Sequence, residues 1–534
     1  LSAPSQPSPS TTVRVGGGAT RLELVALALL LVVAFALRTR HLESFQIGPD
    51  DGSYLNSALV HELPRTWNPV QWVREDVAWV RHLIAHYGEP TVTYQHSYLH
   101  QLTTRYLYRF GLGPLTAVRT SSALTGTLTV FLAWWMFARL WPERRRLGLL
   151  AAALVAFAPF HVFYSRTGWG QVGMSAFYLA HGVVLYRVLF VIEDGDRRAF
   201  RRAGFALLGL SILAFGWHEG VAPYLAGSAA CVGIAPFVVE RDARVRPRIL
   251  SRRTWTYVWS TAPVGAVTLA LRLWSPWAQQ VWFNEKGLAR IDSWSELKRL
   301  SLENLVSEQR VHVMLGWGTI VFGVAGFVVL WRARRSLAAH VAAAATAGSV
   351  VLFLFFGDAY LARIYMPLWL ALIVFSAVAL AALVAWLAAR VGHAVAGIVL
   401  AAALGMQAAV TSVTLFGDVE SPLFVQRLYT IRSKGNTDMR DVDAPILDRL
   451  RAEYRPGERV TVFSDKGAIF RLMGIGITAR EDYFEGEHPA WSDWVVGVRN
   501  QFEKRPFFEA NGGEYRFVVA DTTSRWGLYR RVPR

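Results

Sequence analysis

The chain has a single cysteine, Cys231, set inside an apolar run. An internal disulfide is therefore excluded, the redox compartment is not readable, and the thiol reads as packed and inert. Charge is scarce too: 18% of the 534 residues are Asp, Glu, Lys or Arg, less than a soluble domain of this size carries. Acids are the scarcer sign, 39 against 56 basic residues. No internal repeat or pair of related halves is visible, and with it goes the usual sign of an alternating-access transporter.

Apolar residues are abundant instead. The chain is 53% hydrophobic with 21 Trp, and its mean hydropathy is +0.28. Runs of roughly 17–25 apolar residues, long enough to cross the hydrocarbon core, recur along it. The expected fold class is a polytopic α-helical membrane protein of about eleven spans. They lie near 22–37, 115–138, 147–164, 172–191, 203–217, 221–239, 254–271, 312–331, 337–356, 364–386 and 393–412. Residues 1–20, rich in Ser, Pro, Thr and Gly, read as a disordered tail. Ala34-Phe35-Ala36 imitates a signal-peptidase site, but the run reads as an uncleaved span, because the motif that follows it would need the anchor.

The formal charge of +17 does not point to nucleic acid, because the arginines follow the membrane topology. With the N-terminus inside, the inside loops hold Arg139, Arg144, Arg145 and Arg146, then Arg197, Arg198, Arg201 and Arg202. The later ones hold Arg241, Arg244, Arg246, Arg248, Arg252 and Arg253, then Arg332, Arg334 and Arg335. The short outside loops hold only Arg166 and Arg363. An odd number of spans then puts the C-terminal region outside.

Two outside segments are long. In 38–114, Val73, Val77, Val80, Ile84 and Tyr87 make one apolar stripe. It fits either a helix on the outer membrane surface or one packed within the loop's own small core. In 272–311, Ser293 and Glu296 stand at capping-box spacing and open a second surface helix. The membrane domain therefore reads as 21–417. From 418 to 534 charges, Gly and alternating apolar residues take over. Val460 to Phe463 reads as a strand, Asp465 to Met473 as a turn into a helix, and Tyr515 to Ala520 and Gly527 to Val532 as closing strands. This predicts a small extracytoplasmic α/β domain.

Asp50 and Asp51 follow the first span directly. Carboxylates beside a bilayer are costly and usually functional. One of them could act as general base on an acceptor hydroxyl, the pair could hold a divalent cation such as Mg²⁺ or Mn²⁺, or Asp51 could cap the helix expected from Ser53. His96 fits a cavity-facing role or a structural hydrogen bond. His218 and Glu219, in a short outer turn between apolar runs, fit a cavity lining or a mutual pair.

Pro49-Asp50-Asp51-Gly52-Ser53-Tyr54 resembles the acidic motif after the first span of GT-C superfamily glycosyltransferases. The branch in question is that of the bacterial protein O-mannosyltransferases and aminoarabinose transferases (glycosyltransferase family 39-like), where Pro-Asp-Glu-x-x-Tyr is typical. Further segments are similar in the same order. His96-Ser97-Tyr98-Leu99 resembles His-Pro-Pro-Leu-Tyr without the prolines. Arg119-Thr120-Ser121-Ser122-Ala123-Leu124-Thr125-Gly126 resembles Arg-x-x-Ser-Ala-Leu-x-Gly, and Pro159 to Ser165-Arg166 resembles Pro-x-x-x-x-x-Ser-Arg. Arg363-Ile364-Tyr365-Met366-Pro367 and Gly527-Leu528-Tyr529-Arg530-Arg531 resemble the opening of a late span and the end of the external domain. The acid that often follows the Ser-Arg is missing, since Thr167, Gly168, Trp169, Gly170 and Gln171 stand there.

The resemblance implies a membrane glycosyltransferase with a polyprenyl-phosphate sugar donor and a glycan, lipid or protein acceptor. It places Asp50 as the catalytic acid–base group with Asp51 beside it. Arg166, Arg363, His96, His218, Glu219 and Tyr54 become candidates for binding the substrates. The donor's leaving group is an anionic phosphate whose charge grows during transfer, so cations set at that charge would lower the barrier. Arg166 and Arg363 are the natural candidates, against lipid-headgroup contact or an ion pair as the plain alternative. Two rival readings are a non-catalytic protein of the same fold that binds a lipid or a partner, and a transporter of lipid-linked sugar.

Overall fold

The structure, a computed structural model, describes residues 20–40, 42, 68, 70–71, 74, 98–168, 170–218, 221–238, 252–274, 317–356, 366–416, 444–462, 472, 475–477, 479–481, 492–498, 507–510, 513–521 and 526–532. The expected surface helices lie almost wholly outside them; of the first, residues 70, 71 and 74 are described and are helical.

The apolar runs form helices. They are α1 (Arg21–Thr39), α2 (Tyr98–Arg109), α3 (Pro114–Leu140), α4 (Arg146–Ala156), α5 (Pro159–Tyr164), α6 (Gly173–Tyr186), α7 (Arg197–Trp217) and α8 (Val221–Val238). After them come α9 (Thr254–Ser260), α10 (Ala262–Trp274), α11 (Trp317–Ala333), α12 (Arg335–Phe356), α13 (Met366–Val391) and α14 (His393–Phe416). Among the described residues six helices are long and apolar enough to cross a membrane: α1, α3, α6 with the π-helical turn 187–191 that extends it, α7, α13 and α14. Three more, within α4, α8 and α11, are apolar but shorter.

Local chemistry sets the ends. Thr20 caps α1 in a capping box with Glu23. Asp196 caps α7, accepting from Ala199 N at 2.8 Å, so that helix begins in the arginine run rather than after it. The expected span 147–164 is not one helix. Pro159, at the first position of α5, cannot continue the ladder of α4, and the chain breaks at 157–158. The expected span 254–271 breaks at Thr261, two residues before Pro263.

Small residues let the helices approach. A Cβ on Gly148 would meet Trp134 O at 2.5 Å, one on Gly227 would meet Ala344 O at 2.5 Å, and one on Gly326 would meet Phe375 O at 1.7 Å. These glycines seat α4 on α3, α8 on α12 and α11 on α13, the way apolar helices associate where lipid offers no hydrophobic drive. The main core gathers α3, α4, α5, α6, α12 and α13 around Phe137, Phe160, Trp369 and Val374.

Cross-loop bonds test the charge-derived topology. Glu23 pairs with Arg145 at 3.0 Å and Arg146 at 3.4 Å, Glu143 with Arg334 at 3.1 Å, and Asp194 with Arg253 at 3.1 Å. Each joins two segments expected on the same, arginine-rich side. At the other end Arg166 reaches Arg40, Arg119 reaches Leu42, and Trp217 reaches Gly170, again joining segments expected to share a side. The bundle thus has two distinct ends that match the alternation of the sequence.

The C-terminal region has its own core. Helix α15 (Ala444–Glu453) supplies Ile446, Leu447 and Leu450 against Val460, Val462, Trp494 and Leu528. A six-stranded mixed sheet runs β2-β1-β3-β6-β5-β4. Its strands are β1 (Val460–Val462), β2 (Ala479–Glu481), β3 (Trp494–Val498), β4 (Phe507–Ala510), β5 (Gly513–Ala520) and β6 (Trp526–Arg531). β1 pairs in parallel with β2 and β3, and the remaining pairs are antiparallel. β1, β5 and β6 fall where the sequence predicts strands. The turn and helix expected at 465–473 lie outside the described residues except for Leu472, which is helical.

Candidate functional site

Of the segments singled out in sequence, 119–126 and 159–166 meet at the end of the bundle opposite the paired arginines. Arg166 follows α5, and its side chain is buried, 1% exposed. Its Nη2 donates to Arg40 O at 2.7 Å. Arg119, fully buried in the second turn of α3, donates through Nη1 to Leu42 O. Burial, then the Arg119 and Arg40 guanidinium groups, push the Arg166 pKa down to about 10. Three like charges stand close together here, two of them buried, an arrangement that is favourable where an anion shares the site.

Beneath Arg166, Ser165 Oγ donates to His161 O, and Gly126 leaves the room it occupies. Four of the resembling motif residues, Arg119, Gly126, Ser165 and Arg166, are thus one cluster in space.

The loop 165–172 is held from two further sides. His100 on α2 is fully buried; its Nε2–H donates to Gly168 O at 2.8 Å and its Nδ1 accepts from Ser121 Oγ at 2.7 Å. That pair of bonds suits a neutral imidazole, and burial holds its pKa down at about 4, partly offset by the Gly168 bond. Trp217 packs on the His100 ring at 5.2 Å and donates from Nε1 to Gly170 O at 2.8 Å. His218, buried at the end of α7, follows Trp217 directly, which brings it to the same end of the bundle as Arg166.

Asp50, Asp51, Tyr54, His96, Glu219 and Arg363 lie outside the described residues. Among the described residues no three His, Cys, Asp or Glu side chains cluster so as to hold a metal ion. Sequence reasoning gave no role to Arg38, Arg40, Arg119, His100 or His161. The signal was there for two of them: Arg38 and Arg40 stand at the end of the first span, just ahead of Asp50.

The chain is therefore a multi-pass helical membrane protein with a mixed-sheet C-terminal region and a buried basic cluster at one end of the bundle. Solved structures share this fold, two forms of one protein among them. It matches ArnT from Cupriavidus metallidurans in the apo state at 16% identity, over 95% of this chain and 97% of that one, with a TM-score of 0.56. It matches the same protein bound to undecaprenyl phosphate at 17% identity, over 96% and 98%, with a TM-score of 0.54. No protein-family model and no curated protein sequence matches the chain. The likeness is one of fold, and it extends through the C-terminal sheet.

Proposed function

We propose that the protein is an integral-membrane glycosyltransferase that moves a sugar from a polyprenyl-phosphate donor to an extracytoplasmic acceptor hydroxyl, with inversion. The observation that carries this reading is the buried pair Arg119 and Arg166 with the exposed Arg40 against them, gathered where α1 hands the chain on toward Asp50. The ArnT fold supports it, since one of the matching structures is bound to undecaprenyl phosphate.

The Asp50 carboxylate takes the proton of the acceptor hydroxyl as its oxygen attacks the anomeric carbon. The bond from that carbon to the phosphate oxygen breaks, and the polyprenyl phosphate leaves with an added negative charge. Arg166 and Arg363 meet that charge. Even with its pKa lowered to about 10, Arg166 is a full cation at neutral pH. Tyr54, His96, His218 and Glu219 line the substrate space, and Asp51 supports Asp50.

The same reading sets the topology: about eleven spans, residues 1–20 as a cytoplasmic tail, 21–417 as the membrane domain and 418–534 as the extracytoplasmic domain. The same-side ion pairs of Glu23, Glu143 and Asp194 support the alternation, and the arginine bias supports its direction.

One observation favours a second reading. The 167–171 segment has no acid after Arg166, which suits a non-catalytic protein that binds the lipid phosphate without turnover. Transfer from a panel of radiolabelled polyprenyl-phosphate monosaccharides to envelope acceptors, wild type beside Asp50→Asn, separates the two. Label transfer that vanishes in the variant supports the enzyme. Donor binding without turnover in either protein moves the assignment to the binding role.

A further inference from the structure

A second buried arginine unit lies next to the basic cluster and has no carboxylate among its described partners. Arg38, fully buried in the last turn of α1, donates from Nη1 to Ala34 O at 2.9 Å and Ala156 O at 3.3 Å. Its Nη2 donates to Val155 O at 3.2 Å and to His161 Nδ1 at 3.0 Å. Val155 O and Ala156 O lie at the end of α4, where the Pro159 break ends the helix ladder, and Val155 O also accepts from Ala158 N at 3.5 Å.

A guanidinium only donates, so His161 Nδ1 is the acceptor and the imidazole proton sits on Nε2. That nitrogen is buried and has no hydrogen-bond partner among the described residues. On its other face the ring stacks on Trp369 at 5.3 Å and 12°. Trp369 belongs to the first turn of α13, whose preceding segment carries Arg363. His161 O accepts from Ser165 N at 3.0 Å, one residue before Arg166.

Three segments therefore converge on one side chain: the end of α1 that leads to Asp50, the end of α5 that leads to Arg166, and the start of α13 that follows Arg363. A phenylalanine would stack on Trp369 equally well and would leave no buried N–H unfilled. The imidazole earns its place only through Nδ1, as the acceptor that fixes Arg38. We propose that His161 is a positioning residue, which sets the arginine cluster for an anionic phosphate through Arg38 on one side and Trp369 on the other. This rests on the reading of Arg166 as the phosphate-binding cation.

The test uses the full chain in lipid nanodiscs, with undecaprenyl phosphate as the probe and the thermal midpoint recorded for each variant. Arg166→Gln is expected to weaken binding about tenfold or more, on the scale of a lost charge-assisted contact. His161→Leu, which removes the acceptor, is expected to weaken it by a similar factor. His161→Asn, whose Oδ1 stands near the Nδ1 position, restores affinity to within a few-fold, an effect that lost packing would not give. Trp369→Leu keeps the Arg38 bond and removes the stack, and is the deciding variant if His161→Leu does not accumulate as folded protein. Wild-type affinity in His161→Leu, or in Trp369→Leu where that variant decides, overturns the positioning role if Arg166→Gln still weakens binding. Wild-type affinity in Arg166→Gln overturns the phosphate reading, and the positioning role falls with it.

Discussion

Gly126 and Ser165 compete for one space. A Cβ on Gly126 would lie 2.1 Å from Ser165 Oγ and 2.7 Å from its Cβ, with Arg38 Nε at 3.1 Å. The contact sits directly under the basic cluster, because Ser165 precedes Arg166 and Arg38 crosses beside it.

Gly126→Ala should therefore cost both stability and function. Ser165 cannot swing clear, since its Cβ as well as its hydroxyl is too close, and overpacking of this kind costs about 1–3 kcal/mol. The control is Gly209→Ala on α7, where nothing lies within 4 Å and the change should be neutral or slightly stabilising. Thermal midpoints in detergent compare the two. An equal effect at both positions would remove Gly126 from the site's construction.

The catalytic reading makes a split prediction. Arg166→Gln should lower kcat by roughly 10²–10³, the usual loss when one donor to a developing anion is removed. Asp50→Asn should reduce transfer to background while donor binding persists, because the base acts on the acceptor. Transfer kinetics and a donor-binding titration, run on both variants, check the pair. Loss of binding in Asp50→Asn with normal turnover at saturating donor would reverse the assignment.

His100 gives a pH dependence with a definite sign. Its folded pKa, about 4, lies below the ordinary histidine value of 6.5, so between these values the unfolded chain binds the extra proton. Its contribution to stability is complete above pH 6.5 and is lost as pH falls toward 4. The 2.5-unit gap corresponds to roughly 3 kcal/mol at most. His100→Gln should flatten this part of the stability profile, measured as the thermal midpoint between pH 7 and pH 4. A profile unchanged by the substitution would mean that the ring is not buried neutral between Ser121 and Gly168.

The sequence is readable where one physical signal dominates. Helices α1, α3 and α14 are long apolar runs, and periodicity had nothing to compete with. The break between α4 and α5 went unread because hydropathy continues across it, although Pro159 marks it. Strand β3, Trp494-Val495-Val496-Gly497-Val498, is a continuous apolar run rather than an alternating one, so it carries no period of two. At the site, Arg166 was legible because outer-loop arginines are rare. Arg38 and Arg119 were not, since an arginine near the end of a span reads equally well as a lipid-facing cation; only the packing of α1 on α3 and α4 makes them interior. His96 and His100 stand one helical turn apart in sequence, and nothing in the spacing favours the second.

The packing of α11 on α13 gives the sharpest stability test away from the site. A Cβ on Gly326 would meet Phe375 O at 1.7 Å and Phe375 C at 2.5 Å, both main-chain atoms that cannot turn aside. A Cβ on Gly323 would instead meet the Leu372 side chain at 2.5 Å, a group that can change rotamer. Gly397 on α14 has nothing within 4 Å. The three alanine variants should therefore fall in order: Gly326 severely destabilised, Gly323 intermediate, and Gly397 neutral or gaining up to about 1 kcal/mol from helix propensity. Separating α11 from α13 would also disturb the Ser376 hydrogen bond to Thr319 O, which ties the same two helices at 3.3 Å. Thermal midpoints of the three proteins in one detergent decide it; a Gly326 variant as stable as the Gly397 variant would mean that the two helices do not approach this closely.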